Sequence, residues 1–68
     1  MFIVKRPSGP TITFDAFGEA VDYAVEQRPA LVYTGTTPRT LLARVHPDGG
    51  IDFTTEGATE RRLEAYRA

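Results

Sequence analysis

The chain has 68 residues, a formal net charge of −1 and no cysteine; that length holds one hydrophobic core, which excludes two domains, and the lack of thiols excludes disulfides and thiolate metal sites. Charged residues make up 25% of the chain and nearly balance in sign, which argues against a strongly basic binder of nucleic acid. The apolar run Phe2–Val4 stops at Lys5, Arg6 and Pro7, far short of a signal peptide or a membrane span, so the chain reads as one complete, soluble, cytoplasmic domain over residues 1–68.

Phe2 to about Arg6 reads as a strand with Phe2 and Val4 on one face and Ile3 and Lys5 on the other. Pro7, Ser8, Gly9 and Pro10 make a turn, and Thr11–Phe14 returns as a short strand, giving a hairpin. Asp15 to Gln27 has the longest periodicity in the chain. On a 3.6-residue wheel Phe17, Ala20, Val21 and Ala24 form one stripe, with Ala16 and Val25 at its margins, and Glu19, Asp22 and Glu26 gather opposite. This predicts an amphipathic helix with Asp15 as its N-cap, Pro29 as its stop, and Gly18 as a weak point in the first turn.

Ala30–Thr34 is apolar, β-branched and aromatic, as suits a central strand. Gly35–Arg39 is a connection, and Thr40–His46 follows as a strand whose Leu41, Ala43 and Val45 point one way and Leu42, Arg44 and His46 the other. Pro47, Asp48, Gly49 and Gly50 are the strongest turn signal, with Gly49 suited to a left-handed position, and Ile51–Thr55 returns as a strand. Thr59–Arg67 is predicted as a short last helix capped by Thr59, with Leu63 and Tyr66 as a narrow apolar stripe. The sum is an α+β fold of order β-β-α-β-β-β-α: a small, mostly antiparallel sheet of about five strands, one amphipathic helix on one face and a short C-terminal helix. The residues expected to meet the first helix are Ile12, Leu31, Tyr33, Leu41, Val45, Ile51 and Phe53.

The inventory for catalysis is thin. His46 is the single histidine; as a general base it would lean on Asp48 or Asp52, but no Ser or Cys stands near it in sequence, and an exposed strand-end residue is the simpler reading. No spacing of metal ligands occurs, so neither a catalytic residue nor a metal or cofactor is expected. Gly35-Thr-Thr-Pro-Arg39 lacks the Gly-Lys-Ser/Thr ending of a phosphate-binding loop and precedes a strand, so it reads as an ordinary connection. The acidic row Glu19, Asp22 and Glu26, flanked by Tyr23, reads either as a solvated helix face or as a docking face for a partner.

The basic residues Arg39, Arg44, His46, Arg61, Arg62 and Arg67 fall late in the chain. From Asp15 onward the order helix, three strands, helix is similar to that of double-stranded-RNA-binding domains and of small toxins built on that plan. That resemblance implies a nucleic-acid surface using Arg39, Arg44, Arg61 and Arg62, although the last helix opens with Thr59, Glu60, Arg61, Arg62 rather than a lysine cluster. Lys5 is the only lysine among eight basic residues, and Ala, Thr, Pro and Gly are plentiful, a composition of high-GC bacterial or phage genomes. In size and poverty of motifs the chain is similar to small phage proteins that inhibit host defences, including anti-CRISPR proteins. The leading expectation is therefore a non-enzymatic interaction protein that binds, and in that case inhibits, another protein through Glu19, Asp22, Tyr23 and Glu26; a nucleic-acid module is the alternative, and pairing of an edge strand with a second copy makes a homodimer a further option.

Overall fold

Five short apolar or alternating segments form strands β1 (Phe2–Lys5), β2 (Ile12–Phe14), β3 (Ala30–Thr34), β4 (Leu41–Val45) and β5 (Ile51–Phe53), with helix α1 (Phe17–Glu26) after β2 and α2 (Thr55–Arg67) after β5. This computed structural model describes residues 1–67. The strands make one antiparallel sheet in the order β2-β1-β3-β4-β5, an α+β fold with the element order expected from the sequence. The apolar segment β3 is the central strand. The β4–β5 hairpin closes as its residues dictate: Gly49 N–H donates to His46 O at 2.9 Å and Gly50 N–H to the Asp48 carboxylate at 2.8 Å, with Gly49 at φ +91°.

Each helix leaves an edge strand, and both turn onto the same face of the sheet. There Val4, Ala30, Val32, Leu42, Ala43 and Val45 meet Phe17, Ala20 and Ala24 of α1 in one buried cluster. Ala20 and Ala24 are small enough for the helix axis to lie close to the sheet, and Phe17 fills the space at its first turn, with its ring 5.4 Å from that of Phe2 and 6.2 Å from that of Phe53. Val21 and Val25 pack at the margin. Of the stripe read from the sequence, Phe17, Ala20 and Ala24 are buried, and Val21 is half-buried at its edge.

Three details differ from expectation. In the sheet, Val32 pairs with Ala43 but Tyr33 pairs with Leu41, so Leu42 is an extra residue, a β-bulge. Past the bulge the alternation inverts: Leu42 joins Ala43 and Val45 in the core, and Leu41 goes with Tyr33 and Leu31 to the opposite face. Of the residues expected to meet α1, Leu31, Tyr33 and Leu41 therefore lie on the other side, and Val4, Val32, Leu42 and Ala43 do that work.

Helix α1 begins one residue later than expected. Its N-cap is Ala16, with no side-chain cap bond, and Asp15 is exposed. The free amide of Gly18 instead donates to Glu64 Oε2 of α2 at 2.9 Å, so a carboxylate from a distant segment takes the place at the positive end of the helix that Asp15 was expected to fill.

Helix α2 begins one turn earlier than expected, because Thr54, not Thr59, supplies the cap. Thr54 Oγ1 accepts the Gly57 N–H at 3.1 Å and donates to Leu41 O at 2.7 Å, while Thr54 N–H donates to Leu42 O at 3.0 Å; one threonine thus ties the helix start to the bulged strand. Gly57 makes the close approach possible, since a Cβ there would lie 1.8 Å from Leu42 O. Thr59 sits inside the helix and its hydroxyl donates to Thr55 O at 3.0 Å. Leu63 and Tyr66 form no buried stripe, being 41% and 84% exposed. No helix of the described residues is long and apolar enough to cross a membrane.

Candidate functional site

Burial of one side of α1 fixes what the other side shows. Glu19, Asp22 and Glu26 are all exposed, and the last turn of the helix carries no basic residue. Among the described residues no cation lies within ion-pair distance of the three, for the single such contact in the structure joins His46 and Asp52. Glu19 and Glu26 are two helical turns apart, about 10 Å along the axis. Tyr23 is only half-buried: its ring packs 5.3 Å from that of Phe14, with the Arg6 guanidinium 6.0 Å from its centroid. The structure brings the three carboxylates together on one rigid surface and places Tyr23 at its edge, partly committed to the core.

The four arginines of the alternative reading are not brought together. Arg39 lies in the β3–β4 connection, Arg44 points away from the helices on β4, and Arg61 and Arg62 stand exposed on α2, on the helix side of the sheet. The Arg61 guanidinium rests 5.1 Å from the centroid of Phe53 and so covers that ring. Of Arg67, the side chain lies outside the described residues. The Gly35–Arg39 connection uses its flanking amides internally, Gly35 N–H donating to Met1 O at 2.9 Å and Thr40 N–H to Thr34 Oγ1 at 2.9 Å.

His46 does meet a carboxylate. Its Nε2 is 2.6 Å from Asp52 Oδ2, with the two side chains 40% and 74% exposed. No hydroxyl or thiol is hydrogen-bonded to the ring among the described residues, so the pair has an orienting partner but no nucleophile to activate. No group of three or more metal-ligating side chains occurs among the described residues.

The face of the sheet that no helix covers carries a feature that sequence reading missed. Cross-strand register sets Thr13, Ile3, Tyr33 and Leu41 in one row and Lys5, Leu31, Arg44 and Asp52 in the next. Ile3 is 6% exposed although it lies outside the main core, and Leu31, Tyr33 and Leu41 are half-buried. At the end of the second row Leu31, Pro29 and Pro47 line an open groove of about 300 Å³ whose rim carries Lys5, Arg44 and His46. Arg6 also lines it, and holds a buried Nε with no acceptor, while its terminal nitrogens donate to Gln27 Oε1 at 3.1 Å and Pro10 O at 3.4 Å. These residues come from three strands and three loops, so no local signal in the chain announces the groove.

No protein-family model matches the chain, and neither the curated proteins nor the solved structures include a significant match to it.

Proposed function

We propose that this chain is a non-enzymatic binding protein, and that the outer face of α1 docks on a basic surface of a protein partner. The observation that carries the reading is the exposed row Glu19, Asp22 and Glu26, three carboxylates on one helix with no cation of the chain within ion-pair distance among the described residues. A helix whose other side is buried holds such groups at fixed spacing, so little ordering entropy opposes their engagement. Opposed charges on a partner would speed encounter and select register more than they would add affinity. Tyr23, at the edge of the row, offers an aromatic contact that is already held in place by Phe14.

An anti-defence inhibitor from a phage is one form that such a protein takes; size and composition favour that form and no residue here specifies it. The nucleic-acid reading draws on Arg39, Arg44, Arg61 and Arg62, which stand on different sides of the sheet, and for that reason it ranks second. Capture of a partner from a bacterial host lysate by the wild-type protein, lost with the triple variant Glu19→Lys, Asp22→Lys, Glu26→Lys, is the expected result. Equal capture by the variant would remove this face from the interface. Retention on heparin at low salt, steeply weakened as salt rises, would favour the second reading instead.

A further inference from the structure

We infer that the groove at the end of the uncovered sheet face is a second binding site, one that takes an acidic peptide segment with a bulky apolar residue between two carboxylates. It lies on the opposite side of the sheet from the α1 row and does not depend on that row's role.

The chemistry follows from one cross-strand row. Lys5, Leu31 and Arg44 are direct register neighbours on β1, β3 and β4, so an apolar side chain stands between two cations whose backbones are about 10 Å apart, twice the strand spacing. Lys5 and Arg44 are exposed and have no carboxylate within 4 Å among the described residues. Asp52 is the next residue of the row, opposite Arg44, but it is held at 2.6 Å by His46 Nε2. The Asp52 carboxylate is thus turned to the histidine and lies beyond 4 Å of the Arg44 guanidinium nitrogens. Below the cations, Leu31, Pro29 and Pro47 give the groove an apolar lining, and its volume of about 300 Å³, at the lower end for ligand pockets, has room for a side chain of leucine or phenylalanine size. Charge at the rim and an apolar floor ask for a ligand with the converse arrangement: an apolar anchor flanked by anions. In a polyproline II segment, a major conformer of unfolded peptides with three residues per turn and a rise of about 3.1 Å, positions i and i+3 share one face about 9 Å apart, so two acidic residues three apart with an apolar side chain between them match both cations and the floor.

Nucleic acid fits less well. A phosphate backbone needs a continuous track of free cations, whereas here they are confined to one end of the face and Asp48 and Asp52 border it. Stacking of bases also needs exposed aromatic planes, and Tyr33 is the one aromatic side chain on this face, half-buried and in the neighbouring row. A second copy of the chain, offering its own α1 carboxylates, is the other protein occupant to separate from a foreign peptide.

The test is fluorescence anisotropy with a labelled hexapeptide, glycine-glutamate-phenylalanine-leucine-glutamate-glycine, against the wild-type protein and the double variant Lys5→Glu, Arg44→Glu. Sedimentation of the protein alone runs in parallel. We expect saturable binding that weakens at least about tenfold in the double variant, from two lost and reversed charge contacts, and similarly when both glutamates of the peptide are replaced by glutamine. Both substituted positions are exposed, so the variant should keep the wild-type circular dichroism spectrum and melting curve. Leu31→Ala is a second probe, which removes the floor without touching charge and should also weaken the peptide. Absent binding at millimolar peptide, or equal binding by the double variant or by the glutamine peptide, overturns the site. Tighter binding of a single-stranded oligonucleotide, lost in the same variant, reassigns the groove to nucleic acid; concentration-dependent self-association lost in that variant reassigns it to a second copy. The triple α1 variant described above should bind the hexapeptide normally, which separates failure of this site from failure of the α1 face.

Discussion

The two faces of one sheet are built by different rules. On the helix side, Val4, Val32, Ala43 and Val45 are 0–1% exposed and nothing charged intrudes. On the other side an apolar row of Ile3, Tyr33 and Leu41 runs beside Lys5, Leu31, Arg44 and Asp52, and most of these residues keep some contact with solvent. A chain of 68 residues has apolar material for one full core, and two helices cover one face. The difference teaches where to look: the covered face holds the buried core, and the uncovered face and the outer side of α1 carry the exposed groups on which the two proposals rest.

The comparison can be broken most severely from the helix side. Gly57→Ala places a methyl group where Leu42 O stands, with a Cβ at 1.8 Å. Because backbone must move, we expect a loss of at least about 3 kcal/mol, a large part of the roughly 3–10 kcal/mol expected of a domain this size. Urea unfolding monitored by circular dichroism measures it, and a loss below 1 kcal/mol, an order-of-magnitude threshold, would mean that α2 is not seated against β4. Thr54→Ala removes the α2 cap and the bond to Leu41 O together; about 1–2 kcal/mol is expected, with Thr54→Ser recovering most of it. Glu64→Ala leaves the Gly18 amide without its carboxylate and should cost about 0.5–1 kcal/mol, seen also as faster hydrogen exchange at Gly18. The double variant Lys5→Glu, Arg44→Glu, on the uncovered face, should move stability by less than about 0.5 kcal/mol; a larger loss would show that these cations support the fold.

How much of this was legible depends on how local each cause is. The stripe Phe17, Ala20, Ala24 and the Asp48-Gly49 turn are short-range patterns, and both stand in the structure as read. Strand β3 was read as central from its own apolar run. The facing of β4 was misread at Leu41 and Leu42, because a bulge is a property of pairing with β3 and leaves alternation in the sequence untouched. The start of α2 was misplaced because two threonines, Thr54 and Thr59, both suit a cap; the choice falls to Thr54, whose hydroxyl also reaches Leu41 O. At α1 the expected cap Asp15 gives way to Glu64, which lies 46 residues from Gly18 in sequence. The acidic row was visible because it needs only the helical period. The Lys5, Leu31, Arg44 row was not, because it exists only once three strands are in register.

Adjacent residues of β3 give the most direct test of the division between faces. Val32 is 0% exposed in the helix-side core, whereas its neighbour Leu31 stands on the uncovered face between Lys5 and Arg44. We would measure the unfolding free energies of Val32→Asp and Leu31→Asp side by side. The expected result is that Val32→Asp fails to fold, since an unpaired carboxylate in that core costs several kcal/mol, while Leu31→Asp, with a cation on each side, stays within about 1 kcal/mol of wild type. Equal losses from the two substitutions would contradict the account, because both faces would then be carrying the fold.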